Sequence, residues 1–241
     1  MIFDTHAHYD SGAFNADRFD ILASMPEKNV GLIVDPGCDL ESSRAAIALA
    51  EKYDFVYAAI GWHPEDMDKL TDEGFDEMIK LMHHPKCVAV GEIGLDYYWD
   101  AEHKDEQKAL FIRQIELALE LDKPVIVHDR EAHQDCLSIV REHPQVTGVY
   151  HCYSGSLEDA KVLVKLGWML SFTGVITYKN ARRAPEVAEV IRHSQEQDDQ
   201  TAARMEELAE LQAMGCHAAI LGKSIYTGAI DLKQAVALYQ E

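Results

Sequence analysis

Basic residues are scarce: 22 Lys and Arg stand against 42 Asp and Glu, a formal charge of −20 over 241 residues. So acidic a chain does not bind nucleic acid by passive electrostatics, although an enzyme whose bound cations offset the local charge remains compatible with it. The plainest consequence of the charge is solubility. Long apolar runs are missing as well, and no charged segment followed by an apolar stretch opens the chain. No membrane span or secretory leader is therefore expected, and the expected location is cytoplasmic. Cysteines are few, scattered and odd in number (Cys38, Cys87, Cys136, Cys152, Cys216), with no C-x-x-C among them. That pattern fits buried, reduced thiols rather than a disulfide framework. Glycine is absent between Gly174 and Gly215, so this stretch offers no obvious helix C-cap.

What the chain does have is a regular alternation. Short β-branched runs occur at Ile2-Phe3, Gly31–Val34, Phe55–Ile60, Cys87–Val90, Pro124–Val127, Gly148–Tyr150, Trp168–Phe172 and His217–Leu221. Helical patterns separate them, clearest over Glu106–Leu121, where Leu110, Ile115, Leu117, Ala118 and Leu121 recur at helical spacing. Eight strands alternating with helices predict an α/β fold, a (β/α)8 TIM barrel in one domain spanning 1–241. A doubly wound open sheet is the alternative. The spacing is regular until strand seven. Helices then fit about Pro185–His193 and Thr201–Met214, with the polar segment Ser194–Gln200 between them.

The ends of the strands carry the chemistry. Met1-Ile2-Phe3-Asp4-Thr5-His6-Ala7-His8 closes on His-x-His, and residues two apart on a strand point to one face. Val88–Gly91 leads into Glu92, Val125–Val127 into His128, and Gly148–Tyr150 into His151. Four imidazoles and a carboxylate gathered at the C-terminal mouth of a barrel suit one or two divalent ions, zinc, manganese or magnesium. His6, His8 and Glu92 form one candidate set; Glu92, His128 and His151 form a second, with Glu92 bridging. Two ions about 3.5–4 Å apart clamp an in-line phosphoryl displacement and activate water. Glu92 is thus the central catalytic candidate. His63, in Gly61-Trp62-His63-Pro64, faces the same mouth as a candidate substrate contact, as do Asp96 and Tyr97, which follow Gly94 in a loop near Glu92. His83, His84, His103, His133, His143 and His193 fall in helices or polar loops.

Residues 1 to about 193 resemble the TatD family of metal-dependent hydrolases, which are amidohydrolase-like barrels. The resemblance rests on Phe3-Asp4-Thr5-His6-Ala7-His8, Gly61-Trp62-His63-Pro64, Gly91-Glu92-Ile93-Gly94-Leu95-Asp96-Tyr97-Tyr98, Pro124–Arg130 and His151-Cys152-Tyr153-Ser154-Gly155-Ser156. It implies a divalent-metal phosphodiesterase, often a deoxyribonuclease acting on single-stranded ends, so single-stranded DNA or another phosphodiester is the expected partner. It also implies ligand roles for His6, His8, Glu92, His128 and His151.

The family pattern closes with a Glu-Thr-Asp-x-Pro stretch whose Asp completes the first metal site, and this sequence has no such stretch. Its tail, Gly215–Gly228, resembles instead the last βα unit of the phosphoribosyl isomerases of histidine biosynthesis. There the turn holds phosphate, which implies a phosphate-binding role for Gly222, Lys223 and Ser224. The two resemblances together imply a composite barrel, 1–193 TatD-like and 194–241 isomerase-like, joined near Ser194–Gln200. They also imply an impaired hydrolase, or a hybrid scaffold that binds metal or phosphate with little turnover.

Overall fold

Residues 2–179, 181 and 183–191 are described in the computed structural model. The elements run β1 (Ile2–Asp4), α1 (Arg18–Ser24), β2 (Val30–Pro36), α2 (Leu40–Lys52), β3 (Val56–Ile60), α3 (Asp72–Met82), β4 (Cys87–Asp96), α4 (Lys104–Glu120), β5 (Val125–Arg130), α5 (His133–Glu142), β6 (Gly148–Tyr150), α6 (Leu157–Lys165), β7 (Met169–Leu170) and α7 (Arg183–Ile191). The strands form one parallel sheet in the order β1-β2-β3-β4-β5-β6-β7. Sequential parallel pairing requires a crossover after each strand, and the helices supply it. The expected eighth strand at His217–Leu221, the Ser194–Gln200 join and the Gly222–Ser224 turn lie outside the described residues. The described part of the fold is a seven-stranded curled sheet rather than a demonstrated closed barrel.

Alternation along the strands builds two separate cores. Ile33, Val56, Ala58, Ile60, Val90, Val125 and Val127 pack in a cluster with helix residues such as Phe75, Met78, Phe111 and Ile115. Val34, Ala59, Ala89 and Ile126, one residue out of phase, form a second, smaller cluster with Tyr57 and Val149. The His6 ring, just beyond β1, stacks on His151, just beyond β6, with centroids 3.6 Å apart. Four strands separate β1 from β6 in the sheet order, so only a curled sheet brings these ends together.

β4 departs from simple alternation. Val90 and Ile93 are three apart yet both join the larger cluster, and the β4–β5 register shifts between them. That shift turns Glu92 to the side where His128 lies. The strand then continues past Gly94 to Asp96, where the sequence pattern suggested a loop. Gly94 has φ +146°, and a Cβ there would collide with the His128 carbonyl. Only glycine lets β4 lie so close to β5.

Helix α4 positions the mouth with two buried glutamines seven residues apart. Gln114 accepts the Trp62 N–H at 2.6 Å and donates to the Trp62 carbonyl at 3.0 Å. Gln107 accepts the Asp96 N–H at 2.9 Å and donates to the Asp96 and Asp100 carbonyls. These bonds satisfy backbone groups just beyond β3 and on the edge of β4 that β3 no longer covers.

Candidate metal centre

Glu92 is buried where several strand ends converge, and its two oxygens face different partners. Oε2 lies 3.3 Å from His6 Nε2 and 3.8 Å from His8 Nε2, while Oε1 lies 3.1 Å from His128 Nδ1. The Nε2 atoms of His6 and His8 are 3.1 Å apart. His128 is held from its far side, where Nε2 meets Asp96 Oδ2 at 2.9 Å. Asp96 Oδ1 in turn accepts the backbone N–H groups of Tyr98 and Trp99.

Compact donor sets form around Glu92. His6, Glu92 and His151 offer atoms that all lie within 4.8 Å of one another, as do His63, Glu92 and His128. The structure therefore groups His151 with His6, although strand order alone paired it with His128. It places His63 beside His128, their rings 4.3 Å apart and edge to face.

Electrostatics follow from burial and these partners. Burial pushes the Glu92 carboxyl up, but His6, His128 and His151 outweigh it and hold it well below the usual range. Burial lowers His6, and it lowers His151 well below the ordinary value, so both imidazoles are neutral donors. Burial also takes His63 down to about 4. His63 Nδ1 accepts the Glu65 N–H, leaving Nε2 as its second polar atom. His128 goes the other way: burial would lower it, but Asp96 and Glu92 raise it to about 10.

This donor set fits a divalent cation. Nitrogen and carboxylate oxygen are the ligand types such ions take, and Asp96 supplies the outer carboxylate that commonly orients a ligating imidazole. His6 Nδ1 is buried without a hydrogen-bond partner. With two imidazoles crowding one carboxylate oxygen, a cation would relieve the arrangement better than any proton placement.

Comparison with known proteins decides the family. The model of the TatD-related DNases matches residues 3–196. The chain belongs to that family. It is 42% identical over 193 residues to an uncharacterized metal-dependent hydrolase, YabD, of Bacillus subtilis, covering 79% of this chain and 76% of that one. It is 30% identical over 192 residues to the 3'-5' ssDNA/RNA exonuclease TatD of Shigella flexneri, covering 79% and 73%. The crystal structure of YjjV, a TatD homologue from Escherichia coli, superposes with a TM-score of 0.72 at 35% identity, covering 78% of this chain and 74% of that one.

For this TatD-family chain the remaining expected contacts fall as follows. Asp96 is buried and engaged with His128. Tyr97 is half-buried, and its hydroxyl donates to Asp135 at 2.6 Å. Asp10, Asp35 and Cys38 join the centre without having been among the expected site residues. His8, Cys38 and Glu92 form a further compact set, as do His8, Asp10 and Asp35. Burial pushes the Cys38 thiol well up, and Asp35 likewise, with Asp10 adding to the latter. Asp35 had a visible signal, an acidic residue directly after the apolar run Leu32-Ile33-Val34. Among the described residues no helix is long and apolar enough to cross a membrane.

Proposed function

We propose that this chain hydrolyses phosphodiester bonds at the ends of single-stranded nucleic acid, with one or two divalent ions of the zinc, manganese or magnesium type. The observation that carries this reading is Glu92, whose two oxygens serve two sets of imidazoles. His6, His8 and His151 would hold a cation on one side of Glu92, and His128 would hold one on the other. When bound, the ions polarise the phosphate and supply an activated water.

The protein's own groups do the rest. Asp96 fixes the His128 ring so that Nδ1 faces Glu92. His63, neutral through burial, presents Nε2 to the same space and donates to a phosphate oxygen. The buried position of Glu92 keeps bulk water from the reacting centre, which strengthens each electrostatic contact there.

The reading includes impaired turnover. The family match ends at residue 196, and the sequence holds no Glu-Thr-Asp-x-Pro stretch. Loss of the strand-eight Asp, a water-orienting group, costs about 10²–10⁴-fold in rate. The isomerase-like tail, with Gly222, Lys223 and Ser224 as a phosphate turn, supports the composite reading, in one domain of cytoplasmic location. The opposing reading is a hybrid scaffold that binds metal or phosphate without turnover.

The test is hydrolysis of a 5'-labelled single strand by metal-loaded protein, with bound metal per chain measured on the same sample. Stepwise shortening that stops on chelation is expected. Two bound equivalents with no cleavage of any phosphodiester would favour the scaffold. Restoring Asp at the matching strand-eight position is expected to raise the rate, and no gain would remove the missing ligand as the cause.

A further inference from the structure

Beyond Asp96 the chain presents Tyr98 and Trp99 to solvent, 53% and 63% exposed. Single exposed apolar residues are common, but these two are adjacent and organised. Their rings meet edge to face with centroids 5.0 Å apart. The Arg130 guanidinium lies 4.0 Å from the Tyr98 ring centre and 5.5 Å from that of Trp99. Arg130 is exposed at the end of β5, directly opposite Asp96 in the β4–β5 register.

The acidic excess of the whole chain is absent from the border of the neighbouring cavity, where Lys104, Arg130 and Arg183 face Glu131, Asp135 and Asp159. Arg130, Lys104 and Arg183 border one open cavity of about 960 Å³. Asp135 accepts the Tyr97 hydroxyl and lies 3.7 Å from Lys108, and Asp159 accepts from Gln134 and Ser156. Glu131 also borders it. In a chain of charge −20, two exposed rings joined through Arg130 to a border where cations match carboxylates in number are where a polyanion carrying flat apolar groups meets little repulsion.

Asp96 ties this surface to the candidate metal centre. One of its oxygens accepts the N–H groups of Tyr98 and Trp99 at 2.9 Å each, and the other meets His128 Nε2 at 2.9 Å. A group resting on the rings is therefore held in fixed relation to His128 and Glu92.

We propose that Tyr98, Trp99 and Arg130 form a stacking platform for an unpaired base of a single-stranded nucleic acid. The backbone of that strand passes Arg130, which touches the rings and borders the cavity. Every base has a π-face, so stacking tolerates any sequence, while bases paired in a duplex are hidden from the platform. Anchoring a base beside the reacting phosphate orients the bond to be cleaved. The proposal rests on the phosphodiesterase reading and adds to it a requirement for an unpaired base.

The test compares two fluorescein-labelled strands, (dT)8 and an abasic strand of equal length, both with phosphorothioate linkages that resist cleavage, by anisotropy on the metal-loaded full chain. Trp99→Ala is expected to weaken (dT)8 binding about 5- to 150-fold, the range for loss of one stacked base. Trp99→Phe is expected to restore most of it, and the abasic strand is expected to bind wild type and Trp99→Ala alike. Equal weakening on both strands would overturn the proposal in favour of charge or folding effects. A change in sedimentation of Trp99→Ala without base-dependent loss would overturn it in favour of a contact between copies. Metal-loaded wild type is assayed in parallel for cleavage of (dT)8 with ordinary linkages. Cleavage of (dT)8 with unchanged Trp99→Ala affinity removes the platform and leaves the hydrolase. Base-dependent binding without cleavage supports the platform and removes the turnover. Binding of neither strand overturns the platform, whatever cleavage shows.

Discussion

The two sides of Glu92 are built differently. Toward β5, His128 is gripped at both ring nitrogens, by Glu92 at 3.1 Å and by Asp96 at 2.9 Å. Asp96 is fixed in turn by Gln107 and by the Tyr98 and Trp99 amides. Toward β1, His6 and His8 have mainly each other and Glu92, and His6 Nδ1 is buried without a hydrogen-bond partner. Asp10, the nearest equivalent of Asp96, stands 3.7 Å from His8 Nδ1, beyond good hydrogen-bond range. One side is organised by the protein's own contacts; on the proposed reading, the other would be completed by a cation. A protein-organised side should bind its ion with less loss of side-chain freedom.

The strongest way to break the comparison is to remove the residue both sides share. Glu92→Gln keeps the shape but removes the negative charge and replaces one oxygen donor with an NH2 group that cannot ligate. Bound metal is expected to fall on both sides, and hydrolysis by more than about 10²-fold, above the usual cost of an outer-shell loss. Elemental analysis and rate measurement on one preparation check this. Full metal content in the variant would mean that Glu92 does not join the two sides.

Asp96→Asn sharpens the asymmetry. It is expected to weaken one metal equivalent about 10–100-fold and leave the other in place. Asp10→Asn, across the longer contact, is expected to cost less than about tenfold. Competition with a chromogenic chelator resolves the two equivalents. Equal losses from the two substitutions would show that both sides are equally organised.

Much of the centre was legible because each ligand candidate follows an apolar strand. His128 shares a face with Ile126 through simple alternation, and His6 stands two residues from His8. Glu92 was legible as a strand-end carboxylate, but the β4 register shift that turns it toward His128 leaves no sequence signature. Asp96 was read as a loop residue because Gly94 resembles a strand terminator. Here that glycine permits close β4–β5 approach, so the strand runs on. The pairing of His151 with His6 depends on how far the sheet curls, a property of the whole sheet that strand order does not encode. Gln107 and Gln114 were invisible for another reason: on a helix, glutamine reads as a solvent-facing residue, and only the unpaired backbone opposite shows its use.

Those glutamines provide the next test, because one supports the organised side and the other does not. Gln107→Leu and Gln114→Leu each strand a buried backbone N–H and carbonyl, which costs about 1–3 kcal/mol of stability. Urea unfolding is expected to show similar losses for both. Only Gln107→Leu is expected to weaken the metal held with His128, since it alone holds Asp96. Weaker metal binding in Gln114→Leu would mean that the β3 end, through Trp62 and His63, supports the ion as well.

The smallest effect expected lies just outside the centre, where Asp39 follows Cys38 and caps α2. Its side chain accepts the Ser42 N–H at 2.8 Å and meets Lys69 at 2.7 Å. Burial would raise the Asp39 carboxyl, but Lys69 and Ser42 bring it down to about 2. The unfolded value is about 3.9. Folding therefore favours the ionised form, and the contribution is complete above about pH 4 and fades as pH falls toward 2. Asp39→Ala is expected to cost about 1 kcal/mol at neutral pH, the usual value for an N-cap. The half-exposed Lys69 pair adds little to that. Thermal unfolding of both proteins from neutral pH down to 2 should show the gap closing across that acidic window while bound metal at neutral pH stays unchanged. A gap that persists to pH 2 would place the effect in helix packing rather than the carboxylate. A loss of metal at neutral pH would mean that the start of α2 holds Cys38 and the His8 side in place, so that the cation-dependent side has a support the hydrogen-bond pattern does not reveal.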